Sequence, residues 1–199
     1  MTVTLRCTLA VAALVACLGS AGTVVLAEPQ TAPRRYSQDG LEIDLPGDWQ
    51  PVADDSDPSY RVFRSAATGG EIIFTGWVPP SSRGYLGSFE HFIKEELPKV
   101  QGRRDVKRLR ISGLDAVRFS AHETFSGLEL RDTWIGIPDW ENHGEAFRFY
   151  TAVRRSSPEG EAELIAYERM LASMRIDHVA FNRAVVRYSE RQRRPVPDA

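Results

Sequence analysis

The chain switches between two hydrophobic periods, and each switch predicts an element. Leu41-Glu-Ile43-Asp-Leu45 sets apolar against charged residues at period two, as a strand with one buried face requires, and Pro46-Gly47-Asp48-Trp49 turns the chain directly afterwards. Tyr60 to Arg64 and Glu71 to Val78 read as two further strands, joined through Ala67-Thr68-Gly69-Gly70, whose Gly-Gly is a hairpin signal. At Ser88 the period changes. Phe89, Phe92, Ile93 and Leu97 fall on one face of a helix, Ser88 offers an N-cap, and Pro98 stops or kinks the helix near its end. Alternation then returns over Val106 to Ile111, Val117 to Phe125, Glu129 to Ile137 and Ala146 to Arg154, with short turns between, which predicts antiparallel meander pairing. Val117, Phe119 and Ala121 are expected inward, and Arg118, Ser120 and His122 outward.

A second helix opens at Ser157-Pro158-Glu159, which supplies a cap, a proline at the first helical position and a first-turn acid, and it runs to about Arg175. Leu164, Tyr167, Leu171 and Met174 form its apolar stripe. Phe181, Val185 and Tyr188 then recur at helical spacing among Arg183, Arg187, Arg191, Arg193 and Arg194, so residues 177–199 read as a short basic amphipathic helix with a frayed tail. The order of three strands, helix, four strands, helix provides too few crossover helices for a doubly wound parallel sheet. It predicts an α+β fold, a mainly antiparallel sheet flanked by helices.

The N-terminus has a different character. Met1 to Ala27 carries one charge, Arg6, followed by an apolar run from Cys7 to Leu18 that is too short for a permanent membrane span, and Ala27 is a small residue suited to signal-peptidase cleavage. Residues 1–27 are therefore expected to be a secretory signal peptide. Residues 28–38, with two prolines and little to bury, are expected to be an extended linker, and 39–176 the folded domain. Both cysteines lie in the leader, so the mature domain holds no disulfide, and its length is sufficient for a core without one. Leu14-Val15-Ala16-Cys17 allows a second reading. It resembles a lipobox, in which the Cys17 thiol is acylated and the protein is lipid-anchored.

Tyr36 to Trp49, the mid-chain helix, the Ser112-Gly113-Leu-Asp-Ala116 turn and the closing Met170-Leu-Ala-Ser173-Met-Arg-Ile176 together resemble the PsbP-like superfamily. That superfamily is shared by photosystem II PsbP, a Ran-binding import factor and bacterial envelope proteins such as DcrB. The resemblance spans roughly Tyr36 to Ile176. It implies an α/β/α sandwich and a role as a binding or assembly subunit, and it brings no shared catalytic motif.

Charge and chemistry narrow the picture further. With 25 Lys+Arg against 27 Asp+Glu the net charge is −2, which provides no field for counterion-driven nucleic-acid binding. The mature chain has no cysteine nucleophile, and the sequence has no Gly-x-Ser-x-Gly elbow. His91, His122, His143 and His178 stand in no nucleophile or metal-ligand spacing, so no metal or cofactor is implied. Asp54-Asp55-Ser-Asp57 lacks the glycine and closing glutamate of a calcium loop and reads as a solvated acidic turn.

The best candidate contact surface is the loop Pro138 to Glu145, with Trp140 and His143 at its tip. Trp140 either meets a partner or folds back as a lid over the sheet end. Trp49, Trp77 and Trp134 are expected in the core. The basic tail either docks on its own domain or meets an anionic membrane surface or acidic partner.

The function expected from these features is an exported, non-catalytic binding or assembly module of the bacterial cell envelope, periplasmic or extracellular, with an unidentified envelope protein or complex as partner. The alternative is a small exported hydrolase whose Ser, His and Asp meet only in space. Intact mass spectrometry of the native chain checks the leader directly. A mature N-terminus at Glu28 is expected, and an acylated start at Cys17 would place the protein on a membrane instead.

Overall fold

The computed structural model describes residues 32–52, 57–76, 89–122, 128–137, 146–154 and 157–193. Residues 1–31, Cys17 among them, lie outside these. The described chain is an α+β fold with two antiparallel sheets and three helical elements. No described helix is long and apolar enough to cross a membrane.

The smaller sheet begins earlier than the sequence pattern indicated. Residues through Gln38 were expected to form a linker, yet Arg34–Gln38 is a strand, β1, paired antiparallel with β2 (Leu41–Leu45). Asp39 and Gly40 form the two-residue turn between them, with φ of 49° and 82°, the conformation that a primed hairpin turn demands. Tyr36 supplies the buried contact that earns β1 its place, meeting Phe63 edge-on at 5.2 Å. A short strand near the C-terminus, Arg175–Ile176, closes the other side of β2.

The larger sheet contains β3 (Trp49–Pro51), β4 (Tyr60–Ser65), β5 (Glu71–Thr75), β6 (Arg104–Ile111), β7 (Leu114–His122), β8 (Glu129–Gly136) and β9 (Ala146–Val153). Its order is β3-β4-β5-β9-β8-β7-β6, with every neighbouring pair antiparallel. The C-terminal strand of the smaller sheet is β10.

Each face of this sheet carries helical cover, on one face over β7, β8 and the start of β9. That face is packed by the helical segment that is α-helical over Phe89–His91 (α1), π-helical over Phe92–Glu96 and 3-10 over Leu97–Lys99. A single helix was expected here. The backbone instead widens by one residue, with Leu97 N–H reaching Phe92 O, and Pro98, which has no N–H to donate, sits in the tighter turn that follows. The wider turn lets Phe92 and Leu97, five residues apart, both reach Val117, Phe119 and Ala121.

The opposite face carries Phe63, Ile72, Phe74, Ile135, Phe147 and Phe149 and is covered by β2, by α2 (Pro158–Ser173) and by α3 (His178–Arg193). Ser157 caps α2 by accepting from Gly160 N–H at 3.0 Å. Tyr167 anchors the same helix. Its ring is fully buried and stacked 4.9 Å from Phe149, and its hydroxyl donates to Phe149 O at 3.1 Å while lying 2.5 Å from Thr133 Oγ1. Burial pushes the Tyr167 phenol far up, so it stays a neutral donor.

The carboxylate of Asp177 opens α3 by accepting from Val179 and Ala180 N–H. Phe181 then enters the core edge-on to Phe74 and Phe147, at 5.7 and 5.1 Å. Gly76 makes the room, because a Cβ there would stand 1.8 Å from the Phe181 ring. Val185 packs beside it. The first half of the basic helix is therefore docked on its own domain.

Covering both faces also corrects the outward assignment on β7. Val117, Phe119 and Ala121 are buried as alternation predicts, but Ser120 on the other face is fully buried too, bonding Asp105 at 3.0 Å, and Arg118 is half-buried in an ion pair with Glu168 of α2. Only His122 of that set is exposed. Alternation alone separates the two faces of a strand but does not say whether the second face meets water.

Phe119→Ala should cost about 3–5 kcal/mol in denaturant melts, the price of a cavity beneath the helical segment. Gly76→Ala should destabilise by about 1–3 kcal/mol through overpacking against Phe181. A neutral Gly76→Ala would mean that Phe181 is not held in this slot.

Candidate functional site

Pairing register lines up an aromatic and charged group on the face of the sheet that also bears Val117 and Phe119. Tyr60 of β4 stands opposite Thr75 of β5, Thr75 opposite Arg148 of β9, and Arg148 opposite Trp134 of β8. In the adjacent row Ile73, Tyr150, Asp132 and Phe119 follow one another in the same way. Alternation within each strand puts all of these side chains on one face.

Asp132 is the fixed point. It is 1% exposed, yet its carboxylate is closely partnered. Arg148 Nε lies 3.0 Å from both oxygens and its Nη2 lies 2.7 Å from Oδ2, with the Trp134 side chain and Thr133 N–H also acting on the carboxylate. The guanidinium in turn lies 4.3 Å from the Tyr150 ring centre and 5.3 Å from that of Trp134. Trp134 is itself backed by Phe92, stacked at 4.7 Å. The group is thus assembled from four strands, β4, β5, β8 and β9, and seated by the helical segment.

Burial raises the Asp132 carboxyl above its ordinary range, against the opposing pull of Arg148, Trp134 and Thr133. For Arg148, burial works to lower the value, but the hydrogen bonds and charge of Asp132 more than offset it, so the guanidinium is held as a cation. Burial also raises the Tyr150 phenol, with Tyr60 adding to the shift. These groups are suited to holding a partner: a rigid cation 29% exposed, flanked by aromatic rings, with Tyr60 46% exposed at the margin. The Thr75 hydroxyl, in the same row, is buried and has no hydrogen-bond partner among the described residues.

Trp140 and His143 lie outside the described residues, as do Trp77 and the acidic residues Asp54 and Asp55. Asp57 uses its carboxylate to accept from Ser59 N–H and Oγ, at 2.8 and 2.6 Å. Trp49 is buried, whereas Trp134, expected in the core, is only half-buried and belongs to the site. Serine–aspartate contacts occur at Ser65–Asp48, Ser120–Asp105 and Ser59–Asp57, and none of these serines bonds a histidine among the described residues.

The sequence reading missed Asp132, Arg148, Tyr150, Thr75 and Tyr60. The available signal was Arg148, the one charged residue of β9, set between Phe147 and Phe149.

No family model matches the chain, and no curated protein matches it. Among solved structures the chain is similar to LpqN, a protein involved in cell envelope biogenesis of Mycobacterium tuberculosis. The identity is 15%, the TM-score is 0.41, and the alignment covers 74% of this chain and 90% of that one.

Because its folded pKa is raised, Asp132 contributes most to stability below its unfolded pKa, and that contribution is lost as pH rises through the folded value. Arg148→Ala would leave the carboxylate buried without its cation, costing about 3 kcal/mol at about pH 7. The deficit should narrow toward about pH 4.5, where protonation removes the stranded charge. Denaturant melts at the two pH values check this, and a deficit that widened on acidification would contradict it.

Proposed function

We propose that this chain is an exported, non-catalytic binding or assembly module of the bacterial cell envelope, built as a PsbP-like sandwich, and that it takes a protein partner on the sheet face around Arg148. The observation that carries this reading is the pre-organised group of Tyr60, Arg148, Trp134 and Tyr150. Tyrosine, tryptophan and arginine are the residue types that dominate binding energy at protein interfaces. Arg148 is already locked between two rings by Asp132, so little side-chain entropy remains to be lost when a partner covers it.

The leader-like Met1 to Ala27 supports export, and the cysteine-free mature domain is consistent with folding outside the cytoplasm without disulfides. Asp132 is committed to structural bonds, which favours its role as a support for Arg148 over one in proton transfer.

Tyr60 provides the test, since it is exposed and its truncation leaves the core intact. Envelope extracts passed over the immobilised mature domain should yield a discrete protein whose retention falls tenfold or more with Tyr60→Ala, the scale of an interface hot spot. Equal retention by both forms would remove the sheet face as the contact surface.

A further inference from the structure

A second concavity lies away from this face, between the C-terminal half of α3 and the β1–β2 turn. Its volume is about 490 Å³, within the range of small-molecule sites. Arg187 and Arg191, one helical turn apart on α3, both line it, together with Tyr188 and Gln192, and Gln38 and Asp39 form the opposite wall.

The charge balance of the groove differs from that of the seven-stranded sheet. Every arginine in the strands of the seven-stranded sheet has a carboxylate within ion-pair distance: Arg61, Arg64, Arg104, Arg108, Arg110, Arg118, Arg131 and Arg148. Arg187 and Arg191 have none among the described residues, and Glu190, the one carboxylate within α3, pairs with neither. The groove's own acid, Asp39, is already neutralised, because its Oδ2 accepts from the buried Arg61 guanidinium at 2.8 Å.

The neutral groups add donors. Gln38 uses its carbonyl oxygen to accept from the Tyr36 hydroxyl at 3.1 Å, which leaves its amide N–H groups to donate into the groove. Gly40 fixes this wall against the helix. Its carbonyl accepts from Asp177 N–H at 2.8 Å, and a Cβ at Gly40 would stand 2.5 Å from Asp177 O.

From this arrangement we infer that the groove binds a phosphate-bearing anion, with Arg187 and Arg191 gripping the phosphate and Gln38, Tyr188 and Gln192 donating around it. Two guanidinium forks match phosphate oxygens in number and geometry. The volume exceeds that of a bare phosphate, and Pro58 and Ala184 in the lining give the organic part of a phosphoester an apolar surface to lie on. A soluble phosphoester and a lipid headgroup are the two sources of such a phosphate, and they present the same chemistry to the groove.

The full mature chain is titrated with glycerol 3-phosphate while the arginine Nε–H and Gln38 side-chain amide signals are followed by NMR. In parallel it is sedimented with vesicles of phosphatidylcholine alone and of phosphatidylcholine with phosphatidylglycerol. The variants are Arg187→Gln with Arg191→Gln, and Arg183→Gln as an exposed arginine of the same helix outside the groove. Saturable shifts at Gln38, with affinity at least tenfold lower in the double variant and unchanged in Arg183→Gln, support a soluble phosphoester. Sedimentation with the phosphatidylglycerol vesicles that shows the same dependence supports a headgroup. Absence of both effects, or equal losses in the double variant and in Arg183→Gln, overturns the proposal. Tyr60→Ala should leave both readouts unchanged, so failure here is distinguishable from failure of the sheet-face reading.

Discussion

Phe181 holds the C-terminal helix to the sheet by entering a slot that exists only because residue 76 has no side chain. Its ring meets Phe74 and Phe147 edge-on, an arrangement in which aromatic quadrupoles attract and a large apolar area leaves water together. Much of the remaining geometry follows from that contact. With α3 seated, the Asp39-Gly40 turn can rest on the helix's first residues, which places Gln38 and Asp39 across from Arg187 and Arg191. The slot at Gly76 directly follows Thr75, the last residue of β5, and so adjoins the Tyr60–Thr75–Arg148–Trp134 row. The groove and the sheet-face group are therefore distinct surfaces linked to one packing contact.

The Asp132–Arg148 pair is costly as a stabilising device. A carboxylate 1% exposed forfeits hydration, and the attraction of one partly exposed guanidinium returns only part of that. The hydrogen bonds from Trp134 and Thr133 and the rings on either side of Arg148 make the arrangement tolerable. What the pair adds is definition, since a flexible side chain is held in one plane at the sheet surface. A hydrophobic pair of similar volume could fill the same space but would present no oriented cation.

Most of the strand order, the α2 cap and the inward face of β7 could be read from hydrophobic period and turn chemistry. β1 could have been read as well, because Asp39-Gly40 is a strong two-residue hairpin signal, but the prolines and arginines before it disguised a strand that buries only Tyr36. The π-turn at Phe92–Glu96 was not legible, since the same residues satisfy an α-helical period and only packing on Val117 and Phe119 selects the wider turn. Ser120 misled because alternation cannot report that α2 covers the second face. The site group was hidden for a related reason. Asp132 and Arg148 lie on neighbouring strands and meet diagonally, so their approach depends on the β8–β9 register, which no local pattern in either strand specifies. The sequence instead drew attention to Trp140 and His143, because an aromatic in a polar loop is conspicuous without any knowledge of register.

The central claim is that the sheet face around Arg148 is a contact surface in the envelope. Hydroxyl-radical footprinting of the chain in intact envelopes, compared with the purified mature domain, tests it most directly. The account predicts protection of Tyr60 and Tyr150 in the envelope, while Ile165, exposed on α2 at the opposite side of the sheet, reacts equally in both. Unchanged reactivity at the two tyrosines, with protection at Ile165 instead, would contradict it.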